Sequence, residues 1–452
     1  MALVAGVVFF IVRAGLALIP GFSSRHPTKK WGAIAALVAA TLYLALSGAE
    51  VATQRSYVMT AVVLVGVLAD RAALTLRTLA VAAFAVLLLT PESVAHPSFQ
   101  MSFAATLALV AAYQGGLPWA GGRPDTSLGA KVALWGGREV AALLFASVVA
   151  GFATTPYAAF HFHRVAPYGV IANLLAMPVV SVLVMPAGLI ALIAMPFGLD
   201  GPLWRLMGFG IDWMIAVASW VASLPGAVGR VTAFGVGALI VMTAGMIVLC
   251  LMRTRVRYAG VAIFLAGCAM AFFTTRPDVL ISAGGDVVAV RTAGGKLSVL
   301  KFGGSTFTIN DWLGGDADLR TSADKALSDG FACDENGCTA RLADNTIVAV
   351  SRTAAAISED CRAASLVITA RDASPGCEAT IIDRNLLRAR GAQDLQRVGE
   401  RWQIVSARPM GTDRPWARAT AEETPSTPRR STARDAAPRD ATPRAEDLEA
   451  DD

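Results

Sequence analysis

Apolar residues do not alternate with polar ones over the first 275 positions of this chain; they come in long runs separated by short polar loops. The runs fall near 1–20, 31–49, 51–69, 78–90, 99–114, 139–158, 167–185, 203–224, 233–251 and 257–274. A helix needs roughly 17 to 25 apolar residues to cross a hydrocarbon core of about 30 Å, so each run reads as a membrane helix. A further run, 186–198, lies between Pro186 and Pro196 and is too short to cross easily. With Pro178 ahead of it, the stretch "ANLLAMPVVSVLVMPAGLIALIAMP" predicts a Pro-broken or re-entrant segment. After residue 276 the pattern changes. "DVLISAGGDVVAVRTAGGKLSVL" sets β-branched runs between Gly-rich turns, the mark of successive hairpins, and "NTIVAVS" and "SLVITA" add strands. "IIDRNLLRARGA" reads as a short helix or turn. Residues 411–452 hold almost no large apolar side chain and read as a disordered tail. The expected fold class is therefore an all-α polytopic membrane part, 1–275, then a small β-rich α/β domain, 276–410, and the tail.

Composition agrees with that division. The chain is 55% hydrophobic and 16% charged, where a soluble domain carries about a quarter charged residues. The net charge of +5 suits nucleic acid, but cytoplasmic loops of membrane proteins collect Lys and Arg in any case. Those loops set the parity of crossings. With residue 1 outside and 186–198 not crossing, the inner loops hold Arg25, Lys29, Lys30, Arg71, Arg77, Arg123, Lys131, Arg138, Arg253, Arg255 and Arg257. That is eleven, against three outside: Arg55, Arg164 and Arg230. The prediction is about ten crossings in a bacterial inner membrane, with the carboxy-terminal domain periplasmic or extracellular.

Cysteine usage points to the same side. Cys250 and Cys268 sit in apolar runs, whereas Cys333, Cys338, Cys361 and Cys377 all fall in the polar part. An even set in an exported domain predicts two disulfides, and the sequence-local pairing is 333–338 with 361–377. A zinc site is the competing reading, although the spacings do not match the usual C-x2-C knuckles.

Histidine is absent from the polar part: His26, His96, His161 and His163 all precede it. A hydrolytic metal site ordinarily recruits imidazoles, so no metal, no cofactor and no enzymatic activity are expected there. The close pair His161 and His163 would face one way on a strand but diverge on a helix, which disfavours a shared metal. No Gly-x4-Gly-Lys-Ser/Thr loop is present, so the chain does not itself use ATP. What remains are polar residues inside apolar runs: Arg13, Gln54, Arg55, Gln100, Ser102, Thr154, Thr155, Asn173 and Asp212. Such groups either hydrogen-bond between helices or face a water-filled path. For Gln100 and Asn173 both readings stand.

"GAEVATQRSYVMTAVVLVGVLADR", "HPSFQMSFAATLAL" and "TTPYAAFHFHRVAPYGVIANLLAMPVVSVLVMP" resemble, in order and approximate spacing, the membrane core of the ComEC/Rec2 family of competence proteins. The matching positions are Gln54, Arg55, Met59, Phe99, Gln100, Ser102, Phe103, Asn173 and Pro178. The resemblance implies an inner-membrane channel component that carries single-stranded transforming DNA. It further implies an outer-face DNA receptor, a cytoplasmic helicase or translocase, surrounding lipids, and a possible homo-oligomer. A strand of phosphates needs cationic or amide donors and uses aromatic stacking. Arg55, Gln54, Gln100, Ser102, Asn173, His163 and Arg164 are the candidates, with Tyr168 as an aromatic. Members of that family often carry a soluble domain ahead of the core, and the opening "MALVAGVVFF" reads as a chain cut short there. Many also end in a metallo-β-lactamase-like domain with histidine-rich metal motifs, so 276–410 reads as a degenerate form, structural or DNA-guiding. A small-solute transporter using the Pro-broken region, and a non-functional competence remnant, are the alternatives.

Overall fold

In a computed structural model of the chain, residues 1–19, 27–71, 75–115, 128–303, 306–373 and 376–409 are described, without the side chains of 51–52 and 128–136. Arg25, Arg123, the side chain of Lys131 and the expected tail lie outside the described residues.

The apolar part is helical: α1 (Ala2–Ala17), α2 (Thr28–Leu46), α3 (Val51–Leu68), α4 (Leu76–Leu89), α5 (Pro97–Gln114), α6 (Leu128–Phe162), α7 (Gly169–Val179), α8 (Met185–Ala194), α9 (Gly201–Ser223), α10 (Val236–Leu251) and α11 (Arg257–Phe272). Local chemistry starts several of them. Thr75 and Thr78 cap α4 reciprocally, and at α5 the His96 ring accepts from the Ser98 N–H while Pro97 supplies a first residue with no N–H to satisfy. Four stretches are long and apolar enough to cross a membrane by length and composition: Thr28–Leu46, Gly137–Phe162, Gly169–Phe197 and Gly201–Ser223. Five other apolar helices span 10–17 residues.

The proline-rich stretch meets the expectation in part: the regular α-helix is interrupted between Pro178 and Pro186, but the chain does not re-enter. Pro178, Pro186 and Pro196 do not break the chain into a re-entrant segment. Residues Gly169–Phe197 form one 29-residue helical stretch, with a π-helical turn at Val180–Val184 between the first two prolines. A proline removes one helical N–H and crowds the preceding turn; a wider π turn absorbs that misfit and lets the helix go on. The stretch folds back on α9 as a helical hairpin. Tyr168 donates to the Pro225 carbonyl at one end (3.2 Å), Trp213 donates to Leu175 O (3.3 Å), and Gly210 lies against Val184 and Leu183.

α10 and α11 approach backbone to backbone. A Cβ built on Gly245 would lie 2.5 Å from Phe264 N, one on Gly260 2.6 Å from Gly245 O, and one on Gly267 2.7 Å from Met242 N. Small residues at a membrane helix interface permit this closeness, where dispersion rather than water exclusion drives packing.

Past the helices, the chain builds two five-stranded sheets, in orders β12-β11-β3-β4-β5 and β10-β9-β8-β7-β6. The first joins β3 (Val279–Ile281), β4 (Val287–Arg291) and β5 (Leu297–Lys301) as the antiparallel hairpins the Gly-rich turns predict, then β11 (Gln393–Val398) and β12 (Arg401–Ser406). The second holds β6 (Phe331–Cys333), β7 (Gly337–Arg341), β8 (Ile347–Ser351), β9 (Leu366–Thr369) and β10 (Thr380–Ile382). β8, β9 and β10 run parallel, which requires crossovers. Helix α13 (Ala354–Ala363), capped by Thr353, makes the first of them. Helix α12 (Thr306–Gly315) follows β5, and α14 (Arg384–Arg390) begins at a cap by Asp383. The inner faces meet in a core that includes Val279, Ile281, Val288, Val350, Leu366, Ile368, Ile382 and Leu395. Both disulfides form as paired in the sequence, Cys333–Cys338 and Cys361–Cys377.

Candidate functional site

Several polar residues of the apolar part converge at the end of the bundle that carries the sheets. The 3-10 turn Pro91–Ala95 between α4 and α5 organises one group. Ser93 and Thr90 line a notch with Gln54 and Arg55, and the Gln54 amide donates to Ala49 O at 2.7 Å, closing the turn ahead of α3. The Gln100 amide nitrogen donates to Val94 O at 2.9 Å, and its oxygen lies 2.8 Å from His161 Nε2 on α6. Gln100 therefore faces a neighbour at both polar atoms. It locks the first turn of α5 to α6, as an interhelical hydrogen bond does in lipid. His161 has this partner and His163 lines the cavity described below; among the described residues no group of three His, Cys, Asp or Glu side chains is placed to hold a metal ion.

His163 ends α6 in a left-handed conformation (φ 54°), and its carbonyl accepts from Val231 N at 3.1 Å. Beside it, β1 (Arg164–Val165) pairs with β2 (Gly229–Arg230), setting Arg164 opposite Arg230. This short ribbon is where the sheets dock: Arg230 donates to the Asp318 carbonyl, and Ala233 N donates to Gly315 O at 2.7 Å. Between the helices and the sheets lies a cavity of about 380 Å³, lined by His163, Arg276, Arg291, Trp312, Asp316 and Asp394 among others. His163 Nδ1 is buried there with no hydrogen-bond partner. Arg291 grips Asp316 with two nitrogens, at 2.7 and 3.1 Å.

A second cavity, about 580 Å³, opens at the opposite end of the same helices, between α5, α6, α10 and α11. Its walls include Ala108, Val149, Phe152 and Phe264, and its mouth carries Gln114, Arg253 and Arg257. Arg253 reaches Gln114 Oε1 at 3.4 Å, and Lys30 in the first turn of α2 pairs with Asp70 just past the end of α3 at 2.8 Å. Between the cavities the helices are packed shut by Tyr157, Phe160, Phe234 and Met242, with a 3.0 Å hydrogen bond between the Tyr157 and Thr243 hydroxyls.

Other expected residues stand apart. Asn173 lies on the exposed side of α7, and Ser102 contributes its carbonyl to Thr106 at 2.8 Å within α5. Thr154 and Thr155 bond back to their own helix. Arg230, Tyr157 and Thr243 were not singled out by sequence pattern; for Arg230 the only available signal was a lone cation in an apolar surround.

The Asp394 carboxyl, at the cavity wall, is held above the usual carboxylate range by burial and then by neighbouring Asp278. A raised folded-state value means its ionisation opposes folding: the favourable contribution is complete below about pH 4, the unfolded value, and is lost as pH rises through the folded one. Asp394→Asn is expected to raise the thermal midpoint at pH 7 and to leave it unchanged near pH 4. Equal midpoints at pH 7 would contradict this.

A comparison with curated proteins returned no match, and neither did one with solved structures. A family model described as "Competence protein" matches residues 1–256, more than half of the 452, and takes in α1 to α10 with the Gln54–Arg55, Gln100 and His161–Arg164 positions. The chain belongs to the competence protein family of the ComEC/Rec2 type, whose members serve DNA uptake.

Proposed function

We propose that the chain is the membrane channel component through which one strand of transforming DNA passes, crossing an inner membrane about ten times with its sheets outside. The observation that carries this reading is the pair of cavities at opposite ends of α5, α6, α10 and α11, separated only by packed side chains. This is the form of a closed conduit. His163, Arg164 and Arg230 stand at its sheet end, Arg55 lines a separate notch beside Ser93, and Arg253 and Arg257 stand at the other end, so both ends offer cations to phosphates. Gln100 and His161 set the spacing of α5 and α6 rather than touch the strand. Leu76, next to Arg77, lines the same cavity as Arg253 and Arg257, and the positive-inside rule sets that end toward the cytoplasm. Ten helical passes, counting Gly169–Phe197 once, bring the chain to the outer face at residue 276.

The sheet unit, without histidine, is a guide for the strand and not a metal-dependent nuclease. Its two sheets with flanking helices and parallel β8–β9–β10 suit a degenerate metallo-β-lactamase-like domain. A receptor on the outer face, a motor on the inner face and self-association complete the proposed machinery.

The test is uptake of labelled transforming DNA in a transformable host lacking its own copy. The wild-type chain should restore uptake, and the Arg55→Ala/Arg164→Ala variant should lower it by about tenfold or more at normal protein level, from lost phosphate contacts. No restoration by the wild-type chain, or full restoration by the variant, would reject the assignment.

A further inference from the structure

The far edge of the sheets, away from the bundle, carries a cluster of arginines that the conduit does not use. β3 leaves the docking region at Pro277 and Asp278 and ends at Ile281; Phe302, after β5, pairs its N–H with Asp286 O in the turn beyond that end. On the same edge the chain leaves β8 at Arg352 and β9 at Arg371, and enters α14 at Arg384. Parallel pairing places the ends of β8 and β9 side by side. The three residues are tied together: Arg371 Nε donates to Arg352 O at 2.6 Å, Arg384 Nε donates to Ala370 O at 2.7 Å, and Arg384 N donates to Arg371 O at 3.2 Å. The Arg352 guanidinium lies 5.5 Å from the centre of the Phe302 ring, which is 40% exposed.

Two features make this a receptive surface. Arg371 and Arg384 are each held through Nε, which fixes the guanidinium plane and leaves the terminal nitrogens free to point at a ligand. Among the described residues, none of the three forms an ion pair; the pairs observed involve Lys30, Arg276, Arg291, Arg320 and Arg397. Arginines in proteins usually meet carboxylates, and a fixed fork without one matches the oxygens of a phosphate. An aromatic ring backed by a cation and open on its other face is a platform for a base.

We infer that Arg352, Arg371, Arg384 and Phe302 form a docking surface for single-stranded DNA, phosphates on the arginines and a base on the ring. This rests on the proposed function and adds where the strand first meets the chain. The surface lies on the side away from the helices, which favours a ligand arriving from solution over a lipid headgroup. A duplex keeps its bases stacked and offers the ring none, so the surface prefers a single strand.

The experiment uses the full chain in lipid nanodiscs and fluorescence anisotropy with a labelled oligothymidylate, its duplex, and vesicles rich in phosphatidylglycerol as competitor. Arg352→Gln/Arg371→Gln/Arg384→Gln keeps side-chain size and a donor while removing charge. It should flatten the dependence of log K on log salt by about 2, from about 0.7 per phosphate contact on a single strand. Phe302→Ala should leave that slope intact and weaken single-strand binding about tenfold, the size of one stacking contact, with duplex binding unchanged. An unaltered slope in the triple variant, equal loss for single strand and duplex on Phe302→Ala, or displacement of the oligonucleotide by the vesicles would overturn the inference. If the triple variant binds normally while the wild-type chain still restores DNA uptake, the docking surface fails and the channel reading stands. If the wild-type chain binds as expected but does not restore uptake, the reverse holds.

Discussion

Gly245→Val is expected to yield a chain that cannot pair α10 with α11. The added Cβ would sit 2.5 Å from Phe264 N and 2.7 Å from Gly260 O, and neither atom belongs to a side chain that can swing aside. The backbones must separate. That opens the packed waist of Met242, Met246, Leu239 and Phe234, and no lipid or water molecule can reproduce the lost contacts. The expected destabilisation is about 3 kcal/mol or more, at the upper end for an overpacked interior. Gly6→Val on α1 is the matched control, because a Cβ there meets nothing within 4 Å. The measurement is the thermal midpoint and monodisperse yield of each variant by fluorescence-detected size exclusion. A Gly245→Val midpoint equal to that of wild type would show that α10 and α11 are not packed backbone to backbone.

The second large effect lies in the sheets. Cys361 sits on the crossover helix α13 and Cys377 just ahead of β10, so their bond closes a loop of sequence separation 16. Loop-closure entropy puts its contribution at about 3 kcal/mol. The Cys333–Cys338 bond, separation 5, joins residues already paired across a hairpin, and the same relation puts it at about 2 kcal/mol. Replacing Cys361 and Cys377 together by serine should therefore lower resistance to denaturant more than replacing Cys333 and Cys338. The readout is fluorescence of Trp312 and Trp402, which pack in and against the sheet cores. The opposite order would mean that strand pairing, not the crossover, limits stability there.

Much of the architecture was readable in the chain because it rests on near-neighbour patterns. The run at 257–274 is the helix Arg257–Phe272, and "NTIVAVS" contains the strand Ile347–Ser351. Gly-rich turns between β-branched runs marked the β3–β4–β5 hairpins, whose pairing is local. The prolines marked where the regular α-helix is interrupted, but not that a π turn would carry the helical stretch on, because that adjustment has no residue signature. Helix α13 was missed: "AAAISEDCRA" has no apolar face long enough to stand out, and it is helical because parallel β8 and β9 need a crossover.

The candidate site divides along the same line. Composition and order along the chain determined that this is a multi-helix membrane protein with a disulfide-bearing sheet part, which polar residues interrupt its apolar runs, and which family core it carries. Only the tertiary structure decided what those residues do. Gln100 and His161 stand 61 positions apart, and neither helix alone shows that their polar atoms meet at 2.8 Å. Arg352, Arg371 and Arg384 become one cationic edge only through strand pairing, and Arg55 shares a notch with Ser93 only through helix packing. Burial in lipid demands that each polar group find a partner; the sequence states the demand, and the packing of distant segments selects the partner.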